Sequence, residues 1–124
     1  MTNEEKQLLL IDISGRFPYG LRINIKSDYT REMEDTELTP YHLDGFGYNA
    51  EYRNLRPYLR PMSSMTEEEE DEYMIARQKD IAEAYIHATP QNAIDWLNEH
   101  HFDYRGLIEK SLAIEAPKGM YKSE

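Results

Sequence analysis

The sequence predicts an α+β domain: an N-terminal helix, a small antiparallel sheet of about three strands, then three C-terminal helices. Three observations predict it. Two capping boxes, Thr2 with Glu5 and Thr66 with Glu69, each precede a helical stretch. Residues 21–26 alternate strictly, which puts Leu21, Ile23 and Ile25 on one face of a half-buried strand. The second half carries repeated helix-start chemistry, ended by Pro117 and Gly119. A chain of 124 residues has room for one core, so residues 1–124 read as a single domain. Within it, residues 1–55 hold the first helix and the sheet, 56–65 an extended linker, 66–117 the helical half and 118–124 a tail.

Taken in order, Leu8, Leu9 and Ile11 give the first helix its apolar residues, and Gly15 is a plausible stop. Pro18-Tyr19-Gly20 turns the chain into the alternating strand. Residues 27–36 read as a long polar hairpin loop, and residues 37–43 as a weaker strand that Pro40 confines to an edge. Asp44-Gly45 signals a hairpin turn, and Tyr48, Ala50 and Tyr52 alternate as a third strand. Two X-Pro steps, at Pro57 and Pro61, make the linker extended. The helix after Thr66 shows Met74, Ile81, Tyr85 and Ala88 on one apolar face. Thr89-Pro90 starts the next helix, whose core face is Ala93, Ile94, Trp96 and Leu97. Asp103 caps a last helix through Leu107, Ile108, Leu112 and Ala116.

Composition narrows the function. With no cysteine, disulfide frameworks, thiolate nucleophiles and the usual structural zinc sites are excluded. The longest apolar run, Leu8 to Ile11, is too short to span a bilayer, and the start is acidic where a secretory signal is basic. A cytoplasmic protein with no membrane attachment is expected. The net charge of −10 is uneven: residues 1–62 hold 8 Lys+Arg against 10 Asp+Glu, and residues 63–124 hold 6 against 14. Such a chain is repelled by phosphate backbones, which disfavours nucleic acid as a partner.

Candidate sites each have a plain alternative. Glu67, Glu68, Glu69, Glu70, Asp71 and Glu72 form an acidic surface that could act as a nucleic-acid decoy. They also suit a solvated, dipole-matched helix start. Arg53, Arg56 and Arg60 form the one basic stretch; the default reading is that it neutralises the acidic helix following it. His100 and His101 are adjacent rather than spaced for a metal, and Asp95 with Glu99 lack further oxygen ligands. No nucleophile elbow, phosphate loop or dinucleotide fingerprint is present, so no catalytic residue, metal site or cofactor is expected. Tyr58, Trp96 and Tyr104 are the aromatic residues singled out as protein contacts, with core packing as the competing reading for Trp96.

Residues 56–69, from Arg56-Pro57-Tyr58-Leu59-Arg60-Pro61 through Ser63-Ser64-Met65-Thr66 to Glu69, resemble a recurring signature. Residues 93–98 and the run His100-His101-Phe102-Asp103-Tyr104-Arg105-Gly106-Leu107-Ile108-Glu109-Lys110 resemble its second half. Together they are similar to a family of short uncharacterised proteins of Bacteroides phages, prophages and other mobile elements. The resemblance implies provenance in a bacterial host cell, and no activity or catalytic residue. Ser111 stands where that pattern has glycine, implying that a helical residue is acceptable there. The resulting expectation is a non-enzymatic accessory protein acting through protein–protein contacts, with homo-oligomerisation left open. The alternatives are an acidic decoy inhibitor of a host defence or DNA-processing protein, and nucleic-acid binding through the arginine stretch.

Overall fold

The computed structural model describes residues 1–85 and 90–121. Its N-terminal helix, α1 (Asn3–Arg16), opens on the expected box: Thr2 Oγ1 accepts from Glu5 N–H, and Glu5 accepts from Thr2 N–H. Gly15 does not stop it. The helix runs through to Arg16, and a Cβ at Gly15 would lie 3.1 Å from Asn98 Nδ2. The glycine permits close approach of a later helix.

β1 (Arg22–Lys26) follows as predicted, with Ile23 and Ile25 buried. It pairs antiparallel with β2 (Met33–Glu37), so part of the expected loop is strand. The middle of the chain departs from expectation. Residues 40–44 form a short helix, α2 (Pro40–Asp44), rather than a strand, and α3 (Phe46–Glu51) replaces the third strand. Thr39-Pro40 is itself a helix start, with His42 Nδ1 accepting from Thr39 N–H at 3.0 Å. Asp44-Gly45 therefore joins two helices, and Gly45 keeps an ordinary negative φ. In α3 the inward residues are Phe46, Asn49 and Ala50, which is helical spacing; Tyr48 and Tyr52 point outward.

The supposed linker is the centre of the sheet. β3 (Arg56–Pro61) pairs antiparallel with β1, and parallel with β4 (Phe102–Asp103) and β5 (Ile114–Glu115). The strand order is β2-β1-β3-β4, with β5 also on β3. Its extended backbone was legible from the X-Pro steps; its central place was not, because proline cannot donate to a ladder. Short pairings resolve the conflict. Pro57 meets β1 in a two-residue register and Pro61 ends the strand, while Arg60 N–H donates to His101 O at 2.8 Å.

The second capping box opens α4 (Glu67–Glu83), and α5 (Asn92–Glu99) follows. Ala88 and Thr89, assigned above to an apolar face and a cap, lie outside the described residues. The expected last helix is absent among the described residues. Asp103 does cap, accepting from Leu107 N–H and Ile108 N–H, but only a turn follows. Gly106 and Ser111 both have left-handed backbone, φ 72 and φ 60, which a continuous helix cannot contain. Ser111 thus occupies a conformation that favours glycine, and the reading of that position as helical is corrected.

Leu9 and Ile13 of α1, the β1 isoleucines, Phe46, Leu55, Leu59, Leu107 and Leu112 form one core on one face of the sheet. Tyr58 and Tyr121 pack on the other face, where Tyr121 Oη donates to Tyr58 O. Charges are buried as well. Asp12 and Arg16, one helical turn apart, are both fully buried; Arg16 reaches Phe102 O, and Arg105 donates to Asp12 at 2.7 Å. His101 is buried with φ 60, and its Nε2 sits 2.9 Å from Tyr19 O.

These burials make folding pH-dependent. Desolvation holds His101 down at about 4, against a hydrogen bond to Tyr19 that opposes it, and nearby Arg16, His100 and Arg60 push the same way. His42 is also lowered, chiefly by desolvation. A depressed histidine stabilises the fold fully above its unfolded value of 6.5, and loses that contribution as pH falls towards 4. For His101 the loss is about 3 kcal/mol, at 1.36 kcal/mol per unit. Urea unfolding measured from pH 7 to 4 should show this decline, and His101→Asn, which tolerates left-handed backbone, should flatten most of it. An unchanged slope would contradict the assignment.

Candidate protein-binding face

Helix α4 is attached along one side and open along the other. Its attachment begins with Arg60, which is fully buried on β3 and forms two hydrogen bonds of 2.8 Å with the two carboxylate oxygens of Glu69. Glu69 Oε1 also accepts from Thr66 N–H, so the helix cap and the ion pair share one carboxylate. Burial would raise the Glu69 carboxyl, but the Arg60 hydrogen bonds and charge, with the Thr66 N–H, hold it down at about 2.

Stacked rings continue the seam. Arg60 Cζ lies 4.2 Å from the Phe102 ring centre, and Phe102 stacks on Trp96 at 5.6 Å. Trp96 stacks in turn on Tyr73 of α4, also at 5.6 Å. At the far end Asp80 caps α5, its carboxylate accepting from Asn92 N–H at 2.8 Å and Ala93 N–H at 3.1 Å. Glu69, Tyr73, Ala76 and Asp80 recur at the 3.6-residue period, which defines the packed side of α4.

Met74, Gln78 and Ile81 lie on the opposite side, and Tyr85 follows just past the helix end. The sequence reads Met74, Ile81 and Tyr85 as one apolar face. The structure leaves them 49%, 70% and 97% exposed, and within α4 only Glu69 and Ala76 are buried. Glu70 and Asp71 adjoin Met74 one turn towards the start of α4, where six of its eight acidic residues lie, while Arg77 and Gln78 adjoin Ile81. A groove of about 230 Å³ also runs between α4 and α5, lined by Ile75 and Trp96 with Glu72, Lys79, Asp95 and Glu99.

Of the acidic surface, Glu67, Glu68, Glu70, Asp71 and Glu72 are exposed, while Glu69 is turned inward on Arg60. The three arginines do not share one surface. Arg60 is buried under α4, Arg56 is half-buried on β3, and Arg53 is held by Lys26 O and Asn49. Arg60–Glu69 is the neutralisation of stretch by helix that the sequence suggested. Tyr58 is buried, and its Oη donates to Asp35 at 2.6 Å. Tyr104 is half-buried, donating to Asn98 with Arg105 over its ring. Trp96 borders the groove between α4 and α5.

Among the described residues, no group of three or more His, Asp or Glu side chains is arranged to hold a metal. No described helix is long and apolar enough to cross a membrane. No family model, curated protein or solved structure matches the chain.

The Asp80 cap is what sets the second helix of this hairpin against the first. Asp80→Ala should cost about 1 kcal/mol or slightly more, the usual loss for a removed cap, with Asp80→Asn falling between. Urea denaturation followed by Trp96 fluorescence checks it, and an unaltered midpoint would argue against the cap.

Proposed function

We propose that this chain is a non-enzymatic accessory protein that binds a basic partner protein on the outer face of α4. One observation carries the reading: Met74 and Ile81 are exposed on the most acidic element of the molecule, with exposed Tyr85 just past its end. An exposed apolar line leading away from a carboxylate-rich helix start complements an amphipathic helix that also carries lysine or arginine. A second copy of this chain fits poorly, because each copy would bring the same negative charge. The resemblance of residues 56–69, 93–98 and 100–110 to a signature of Bacteroides phages and other mobile elements motivates a place in such an element, and a partner in a bacterial cytoplasm.

The acidic-decoy reading uses the same helix differently. It is supported by the five exposed carboxylates among residues 67–72, and it requires charge without the apolar stripe.

A labelled Leu/Lys amphipathic peptide of about 18 residues, five helical turns, separates the two. Fluorescence anisotropy should show it binding at least about tenfold tighter than a scrambled peptide of equal charge, a difference of about 1.4 kcal/mol. Ile81→Ser with Tyr85→Ser should remove that preference without altering the thermal melt, since both side chains are exposed. Equal binding of both peptides, abolished when Glu67, Glu68 and Glu70 become glutamine, would favour the decoy and overturn the docking face.

A further inference from the structure

A second concavity lies at the other end of the sheet, between the β1–β2 loop and α3. It measures about 260 Å³ and is lined by Lys26, Arg31 and Arg53 with Asp28, Ser27, Tyr48 and Tyr52. In a chain of net charge −10, three cations meet here against one carboxylate. Asp28 approaches Arg53 Nε at 3.5 Å, while neither Lys26 nor Arg31 forms an ion pair with a described residue.

The Arg53 side chain and the Arg31 backbone are each held in place. Arg53 Nε donates to Lys26 O at 2.8 Å and Nη1 to Asn49 Oδ1 at 3.1 Å, so the guanidinium is fixed before any ligand arrives. Arg31 has left-handed backbone, φ 60, and its N–H donates to Ser27 O. Ser27 Oγ in turn accepts from Tyr29 N–H and Thr30 N–H, fastening the loop. An arginine in this conformation costs about 1–2 kcal/mol relative to an ordinary one, a cost that glycine would avoid. Beside the cations, Tyr48 and Tyr52 stack one turn apart with centroids 5.5 Å apart, and 56% and 72% of their surfaces are open.

We propose that this cavity binds a nucleoside monophosphate, with the phosphate on Lys26, Arg31 and Arg53 and the base on the Tyr48–Tyr52 pair. The chemistry matches on both counts, since guanidinium and ammonium groups bind phosphate and tyrosine faces stack on bases. Size and charge select a single nucleotide over a strand. The cavity is near the lower end of ligand sites, which begin at about 300 Å³. A local surplus of two positive charges suits a ligand of charge about −2, whereas a polyanion extending past the site meets the acidic remainder of the surface.

NMR titration of the full chain with adenosine monophosphate, inorganic phosphate, adenosine and a hexa-adenylate tests this. Adenosine monophosphate should shift amides in residues 26–31 and 48–53, with phosphate and adenosine each binding at least about tenfold more weakly. Arg31→Gly keeps the backbone conformation and removes the cation, and should weaken the nucleotide at least about tenfold. Lys26→Gln should act in the same direction, and Tyr52→Leu should weaken nucleotide and adenosine while leaving phosphate unchanged. Absence of shifts at about 5 mM nucleotide would overturn the proposal. So would shifts elsewhere, wild-type affinity in Arg31→Gly, or tighter binding of the hexa-adenylate.

Discussion

A guanidinium with no exposed surface has to be matched by a carboxylate, and much of this fold follows from where Arg60 finds its match. Arg60 lies on the central strand, and Glu69 meets it with both oxygens from the first turn of α4. Leaving either charge alone in the interior costs about 3–5 kcal/mol, which favours the placement of α4 that brings Glu69 onto Arg60. The same carboxylate caps the helix, so a local signal and a long-range pairing agree on one geometry. From there Tyr73, Trp96 and Phe102 stack back to the strand, and Asp80 positions α5. The outer face of α4 is open because its inner face is already committed.

A second buried network holds the opposite side together. Asp12 receives Arg16 from its own helix and Arg105 from far along the chain, and Arg16 also binds the carbonyl of Phe102. β4 is therefore gripped from both sides, by Arg60 through the Phe102 ring and by Arg16 through its backbone. These pairs also explain how an acidic chain spends its few cations. Arg16, Arg60 and Arg105 are used for internal pairing, and Lys26, Arg31 and Arg53 converge at one surface cavity.

Local chemistry was readable wherever one element satisfied itself. Both Thr/Glu capping boxes and the Leu21–Lys26 alternation lie where they were expected. Reading failed where a residue's meaning depended on distant partners. Pro57 and Pro61 disguised β3, because its short pairings with β1, β4 and β5 come from three separate parts of the chain. Tyr48, Ala50 and Tyr52 alternate like a strand, yet Phe46, Asn49 and Ala50 carry the helical face that packs. Asp103 caps as predicted, but left-handed Gly106 and Ser111 stop a helix from forming. The Met74–Ile81–Tyr85 stripe was visible, and its direction was not: a buried Glu69 and a capping Asp80 define the inner side, and both look like surface residues in sequence. The cation cavity was missed for a similar reason, since Lys26 and Arg53 meet only in the fold.

The account rests on α4 being presented by the Arg60–Glu69 pair, and amide hydrogen exchange of wild type against Glu69→Gln tests this most directly. Glutamine keeps the size and much of the cap while removing the charge opposite Arg60. Protection should fall selectively in residues 67–83 and 92–99, with α1 and β1 retaining theirs. Unchanged protection of α4, or an equal loss across every element, would contradict it.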